Sequence, residues 1–510
     1  MRATNLRFGT LHWHLLPEGW LNDFHLRTSR PEDLRTSTAT DAVGQKPGDN
    51  AAMNARLICT LSAAALAALA SPDVRAQEQG AAASDAGTML TVPYTQFTLP
   101  NGLHVILHQD KTVPVASVNV WYHVGSGREK PGRTGFAHLF EHVMFEGSEH
   151  VPEGNFDALL EANGGDNNGS TSEDRTNYVI DVPSNALEIA LFLESDRMGF
   201  LLPTLTQAKL DGQRDVVKNE KRQRVDNAPY GQAFVELSAL LYPATHPYSW
   251  PVIGSMEDLS AASLQDVVEF FKTYYAPNNA SLVVAGDIEF EPTRKLVEKW
   301  FGGIPRGADV PPLVPAPASL SEVKRKTISD KVQLPRLYMA WHTPALYAPG
   351  DAAMDMVSNL LTGGKNSRLY RRLVYEMQVA QDVTAAQMSR TLASAFMVVV
   401  TARPGQSLEK IQAVIDEEIE QLKHAAPEAR EMTRALNQVE ASFYRNMERT
   451  GSFGGKADQL NAYYTNTGMP DYFEEDLARY RAISPTDVQS AAVRFLPKDR
   501  RVELTVVGAK

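Results

Sequence analysis

Two stretches of this chain read alike. LSAASLQDVVEFFKTYYAPNNASLVVAG begins at Leu259 and ends at Gly286; ISPTDVQSAAVRFLPKDRRVELTVVG begins at Ile483 and ends at Gly508. Each is a polar N-cap, a helical apolar period, a polar turn and an apolar strand closing on glycine. The offset of roughly 220 residues is far too long for a solenoid. It signals a duplicated domain, so the chain must fold as two related halves. Between them runs GGIPRGADVPPLVPAPASLS, a proline- and glycine-rich stretch that suits a semi-rigid linker and no regular element. The pattern sets a first domain over 77–301, a linker over 302–326 and a second domain over 327–510.

Upstream of the duplication, residues 53–76 read MNARLICTLSAAALAALASPDVRA. A positive residue, an uncharged apolar run, a Pro72 break and the small-residue site Val74-Arg75-Ala76 make a secretory signal pattern. The apolar run is shorter than the about 20 residues a bilayer-spanning helix needs. A buried Ala-rich helix is the other reading. A signal starting at Met53 leaves 1–52 as a spurious upstream extension and predicts a periplasmic protein without a membrane span. The single cysteine, Cys59, lies inside that segment and excludes any intrachain disulfide. The net charge of −11 argues against a nucleic-acid footprint.

The coarse reading along the first half mixes strands and helices without βαβ alternation. Phe97–Leu99 and Leu103–Leu107 flank Pro100-Asn101-Gly102 as a hairpin. Val115–Val124 and Thr176–Val182 read as strands. Phe136–Phe145, Asn155–Ala162, Ala186–Arg197 and Leu205–Arg224 read as helices. This favours an α+β fold, with helices packed on a largely antiparallel sheet in each half.

The sharpest chemical signal is GFAHLFEHVMFEG from Gly135 to Gly147. His138 and His142 stand at i and i+4, so on a helix both imidazoles leave from one face, as two ligands of one zinc would. Glu141 is adjacent and suits a general base acting on zinc-activated water. The order HxxEH inverts HExxH. Two histidines do not complete a catalytic zinc site; three protein ligands and an open position do. In QRDVVKNEKRQR, Val216, Val217 and Glu220 share a helical face, which would turn a carboxylate inward. Taken alone, that helix reads as readily as a solvated charged one, given Lys218, Lys221, Arg222 and Arg224. His150 breaks the spacing and reads as a surface residue.

These segments together resemble the pitrilysin/insulinase family of zinc metallopeptidases, and most of all its short two-domain branch with the catalytic subunit of the mitochondrial processing peptidase. HLFEHVMFEGS resembles the family's ligand helix, RDVVKNE the helix carrying the third ligand, and HPYSWPVIGSMEDL with FFKTYYAPNNASLVVAGD the close of the catalytic domain. The resemblance implies one Zn2+ held by His138, His142 and Glu220, with Glu141 as general base. It also implies a substrate strand at Asn168-Gly169-Ser170-Thr171, where an extended peptide pairs by β-augmentation. Read without the family, the same stretch is an ordinary Asn/Gly turn.

Two departures stand out. The family often has a second Glu seven residues before the third ligand, where this chain has Gln213. The second half carries no HxxEH; its matching stretch, near Asp355–Asn359, cannot bind zinc as the first does. The resemblance further implies a dimer that closes around the substrate, with an Arg/Tyr pair contributed by the far chain. Here Val374 and Gln381 occupy those positions, with Arg371, Arg372 and Tyr375 nearby. The expected partner is a homologous non-catalytic chain that has the pair; the alternative is a homodimer that works without it. The alternative function is a non-catalytic or weakly active subunit of a heteromeric complex. A heme or metal carrier finds no support, since neither CxxCH nor a His-rich tract is present.

Overall fold

The computed structural model describes residues 90–314 and 318–509. The signal segment and the upstream extension lie outside the described residues. Among those described, no helix is long and apolar enough to cross a membrane.

The strands are β1 (Thr95–Thr98), β2 (His104–Gln109), β3 (Val115–Tyr122), β4 (Asp166–Thr171), β5 (Thr176–Pro183), β6 (Ala280–Gly286), β7 (Lys324–Asp330), β8 (Arg336–Thr343), β9 (Ala380–Met388), β10 (Ser394–Ala402) and β11 (Val502–Gly508). They form two sheets, ordered β1-β2-β6-β3-β5-β4 and β7-β11-β8-β10-β9. Only β2–β6 and β7–β11 pair parallel; every other neighbour is antiparallel. Leaving out β1, the two orders match strand for strand, which is the duplication seen in sequence.

The first half carries helices α1 (Phe136–Val143), α2 (Asn155–Ala162), α3 (Leu187–Phe200), α4 (Gln207–Lys221), α5 (Ala233–Leu241), α6 (Met256–Ala261), α7 (Leu264–Tyr274) and α8 (Phe290–Phe301). The second carries α9 (Asp351–Thr362), α10 (Leu408–His424), α11 (Ala429–Met447), α12 (Lys456–Thr467), α13 (Phe473–Arg481) and α14 (Pro485–Phe495). The repeated helices, α7 and α14, both start on capping boxes, Ser263 with Asp266 and Ser484 with Asp487. The fold is therefore α+β, in two homologous sheet-and-helix halves.

Three details depart from the sequence reading. The linker ends early, because Lys324 already pairs with Val502 in β7. β7 is a polar edge strand, KRKTISD, and shows no apolar alternation to read. The helix carrying Glu220 stops at Lys221 and passes into a π turn over Arg222–Asp226. In that helix Val217 is buried but Val216 is exposed: the inward stripe runs Leu210, Gln213, Val217, Glu220.

Each half lends a helix to the other. β6 has both faces covered: Leu282 and Val284 enter the first core, while Val283 and Ala285 meet Ala457 and Leu460 of α12. That explains its unbroken apolar run. In exchange, α5 lies against β8 and β11. His342 Nε2 meets the Leu241 carbonyl at its end at 2.9 Å.

The helix caps also set the register between halves. α1 and α9 both follow a glycine with positive φ, Gly135 at 88° and Gly350 at 100°. Counting from these caps, Ala353, Met356 and Val357 stand where His138, Glu141 and His142 stand. The equivalent stretch thus begins two residues before Asp355, and its three matching positions hold no metal ligand.

Candidate metal centre

α1 is short and almost wholly buried; of its eight residues only His138 is partly accessible. Such a helix needs its first N–H groups satisfied. Glu129 does this from the preceding loop: Gly135 N donates to its Oε2 at 3.0 Å and Ala137 N to its Oε1 at 2.8 Å. Burial pushes the Glu129 carboxyl up to about 8, against the pull of those N–H donors.

The two histidines leave α1 on one face, with ring centroids 4.8 Å apart. α4 packs across α1 and brings Glu220 to them. Glu220 Oε2 lies 3.2 Å from His142 Nε2 and 3.6 Å from His138 Nε2. Its other oxygen is held by Arg224 at 2.7 Å, one turn on, which fixes the carboxylate's orientation. Burial lowers the His138 pKa, keeping that imidazole neutral and its lone pair available. Burial alone would raise Glu220, but His142, His138 and Arg224 bring it to about 2, so it is ionised.

Among the described residues, this is the one group of three such side chains whose ligand atoms converge, all within 4.8 Å of one another. Two imidazoles and a carboxylate are a donor set that zinc takes, with a fourth position left open. The three side chains predicted from sequence as ligands are thus brought together.

Glu141 is buried beside them, and Thr171 Oγ1 donates to its Oε2 at 2.7 Å. β4 passes close over this side chain: a Cβ added at Gly169 would lie 3.1 Å from Glu141 Cγ. β4 is the last strand of its sheet, so its outer edge has no strand partner among the described residues. Asn168, Gly169, Ser170 and Thr171 therefore form an edge strand beside the ligand helix, not a turn. Gln213 is buried and donates to Glu146. His150 lies apart from the cluster, half exposed, against Asp196 at 2.6 Å.

Sequence reasoning missed Glu129. Its cap reaches the helix from six and eight residues upstream, past the N-cap position where a capping box would be sought. The hydrogen bond from Thr171 to Glu141 was also unread, because it joins residues of two separate elements.

Comparison with known proteins identifies the family and the fold. Residues 104–246 match the model for Insulinase (Peptidase family M16), and residues 261–439 match that for the Peptidase M16 inactive domain. The chain belongs to the insulinase family of peptidases, family M16. It is similar to the zinc protease PqqE of Helicobacter pylori, 29% identical over 411 residues, covering 78% of this chain and 92% of that one. It is also similar to a probable mitochondrial-processing peptidase subunit beta of Arabidopsis thaliana, 24% identical, covering 82% and 79%. A crystal structure of a protease from Helicobacter pylori superposes with TM-score 0.76 at 27% identity, covering 81% of this chain and 99% of that one. The first half of the periplasmic protease PqqL from Escherichia coli shares the fold, with TM-score 0.67 at 18% identity, covering 82% and 92%.

Proposed function

We propose that this chain is an exported zinc endopeptidase that hydrolyses extended or unfolded peptides. The observation that carries the reading is the convergence of His138, His142 and Glu220 with Glu141 beside them, under the outer edge of β4, which has no strand partner among the described residues. Those three residues would hold the zinc. Bound there, zinc supplies Lewis acidity and lowers the pKa of water. Glu141 then takes the proton of the attacking water and returns it to the leaving nitrogen. The absence of a side chain at Gly169 leaves room beside the base. The edge from Asn168 to Thr171 pairs with a peptide through main-chain bonds, which are largely indifferent to side chains. Export to the periplasm rests on the 53–76 segment and on the fold shared with the periplasmic protease PqqL. The domain boundaries proposed are 77–301 and 324–510, with the linker between.

Purified chain loaded with one equivalent of zinc is expected to cleave a quenched unfolded peptide and to stop on chelation. Equal hydrolysis with and without chelator would overturn the reading.

A second reading concerns partners. Val374 packs partly buried on the second core, and Gln381 is exposed on β9. Arg372 is engaged by Glu417 and Glu418, and Arg371 by Glu376. The two positions themselves thus hold no Arg/Tyr pair, and Arg371 beside them is a surface residue paired with Glu376. This favours a dimer with a homologous chain that supplies the Arg/Tyr pair, the isolated chain being weakly active. Charge-stabilising contacts made only in the transition state are worth about 10²-fold or more in turnover. Adding such a partner should raise the peptide rate by about that much, and light scattering should show a heterodimer. A rate unchanged on mixing would refute it.

A further inference from the structure

Among the described residues the second half gathers no metal-ligand group, yet it reaches the β4–β5 hairpin at several points: Ser452 Oγ donates to Asp181 Oδ2 on β5 at 3.0 Å, and two further contacts bear on the strand beside Glu141. One is Asp458 at the start of α12, only 3% exposed. Its Oδ1 accepts from Asn177 Nδ2 at 2.9 Å on β5, and from Trp121 Nε1 at 2.9 Å on β3. Its Oδ2 accepts from Gly454 N at 2.8 Å. A buried carboxylate is costly, and it persists where several donors converge on it; here the hydrogen-bond donors are neutral and the Arg175 guanidinium acts on the carboxylate through its charge.

The bond to Asn177 settles that amide's orientation. Its Nδ2 faces Asp458, so its Oδ1 must face the other way, where Ser170 Oγ donates to it at 2.6 Å. Ser170 lies in β4. Its hydroxyl also accepts from Arg175 Nη1 at 2.6 Å, and its carbonyl from the same nitrogen at 2.9 Å. A donor, an acceptor and a carboxylate thus alternate without conflict from the second half to the strand beside Glu141.

The other point is the hairpin turn. Arg390, buried between β9 and β10, pairs with Glu173 at 2.8 Å, with both side chains about nine-tenths buried. Beside it, Thr391 N donates to Asp174 Oδ2 at 3.0 Å. Glu173 and Asp174 are the two residues at the tip of the turn joining β4 to β5.

We infer that Asp458 and Arg390 are positioning residues through which the second half holds the β4–β5 hairpin in register over Glu141. This rests on the reading of β4 as the strand that pairs with substrate. Neither residue belongs to the group that would hold zinc; each acts through the hairpin. An edge strand held only by its inner neighbour slips and frays readily. Two ties, one behind the strand and one at its tip, oppose both movements. The duplicated half is thus retained for a mechanical task that needs no metal site.

The test compares Asp458→Asn, Arg390→Gln and Arg390→Lys with the unmodified full chain. Two measurements are made: amide hydrogen exchange across 166–177, and KM and kcat for a long extended peptide and for a short one. Asp458→Asn and Arg390→Gln are expected to speed exchange in β4 and β5 while β1 and β2 keep theirs. KM for the long peptide should rise about tenfold, equivalent to about 1.4 kcal/mol, with the short peptide's KM nearly unchanged. Arg390→Lys should recover most of the KM. A merely structural role would lower apparent kcat for both peptides with the amount of folded protein and leave both KM values alone, and that result overturns the proposal. So does unchanged exchange in β4 for both variants. A chain that cleaves no peptide even unmodified sinks the peptidase reading instead, and the exchange data still decide the tie.

Discussion

Glu141→Gln is expected to keep one zinc per chain and to lose peptide hydrolysis by about 10²–10⁴-fold, the range assigned to a positioned general base. The substitution changes little else. Gln has the same shape, and its amide oxygen can still accept from Thr171 Oγ1, which donates to Glu141 Oε2 at 2.7 Å. His138, His142 and Glu220 are untouched, so metal content should stay at the wild-type value. The amide cannot accept a proton near neutral pH, so the loss should fall on kcat and leave KM nearly the same. Zinc analysis with kcat and KM on one preparation decides it. Wild-type turnover from this variant would mean that another residue serves as the base.

How far the sequence reached follows from what each feature depends on. The histidine pair on one face of α1 was legible because i and i+4 on a helix is a local relation, set by 3.6 residues per turn. α2 was legible to the residue for the same reason. The repeated helix–strand unit was legible because both copies have their capping boxes and a following strand that closes on glycine. Glu220 was legible only in part. Helical periodicity gives a shared face with Val217, but that the face meets α1 is a tertiary fact. The exchange of α5 and α12 between halves could not be read, because an apolar face says that a helix packs and not on which sheet. β7 went unread at its start since an exposed edge strand has no need of apolar alternation. Glu129 sits in a loop whose return to the helix start depends on the whole fold around it.

The ligand substitutions carry the largest expected loss. His142→Ala or Glu220→Ala removes one of three protein ligands, and the two that remain do not make a closed zinc site. Zinc content should drop from about one per chain toward zero, and hydrolysis should fall further than in Glu141→Gln, because the nucleophile and the Lewis acid are lost together. The stability readout separates this from misfolding. A metal that binds only the folded chain raises its stability, by about 2.7 kcal/mol at a hundredfold excess over Kd. The unmodified chain should therefore melt at a higher temperature with zinc than without, while the two variants melt alike in both. Arg224→Ala offers a graded control. It leaves all three ligands but frees the Glu220 oxygen that Arg224 holds at 2.7 Å. Loss of such an orienting partner costs about 10–100-fold in metal affinity, so this variant should regain activity as free zinc is raised, whereas Glu220→Ala should not. If Glu220→Ala kept one zinc and the wild-type melting shift, Glu220 would not be the third ligand, and the metal would have to be held by His138, His142 and some other group.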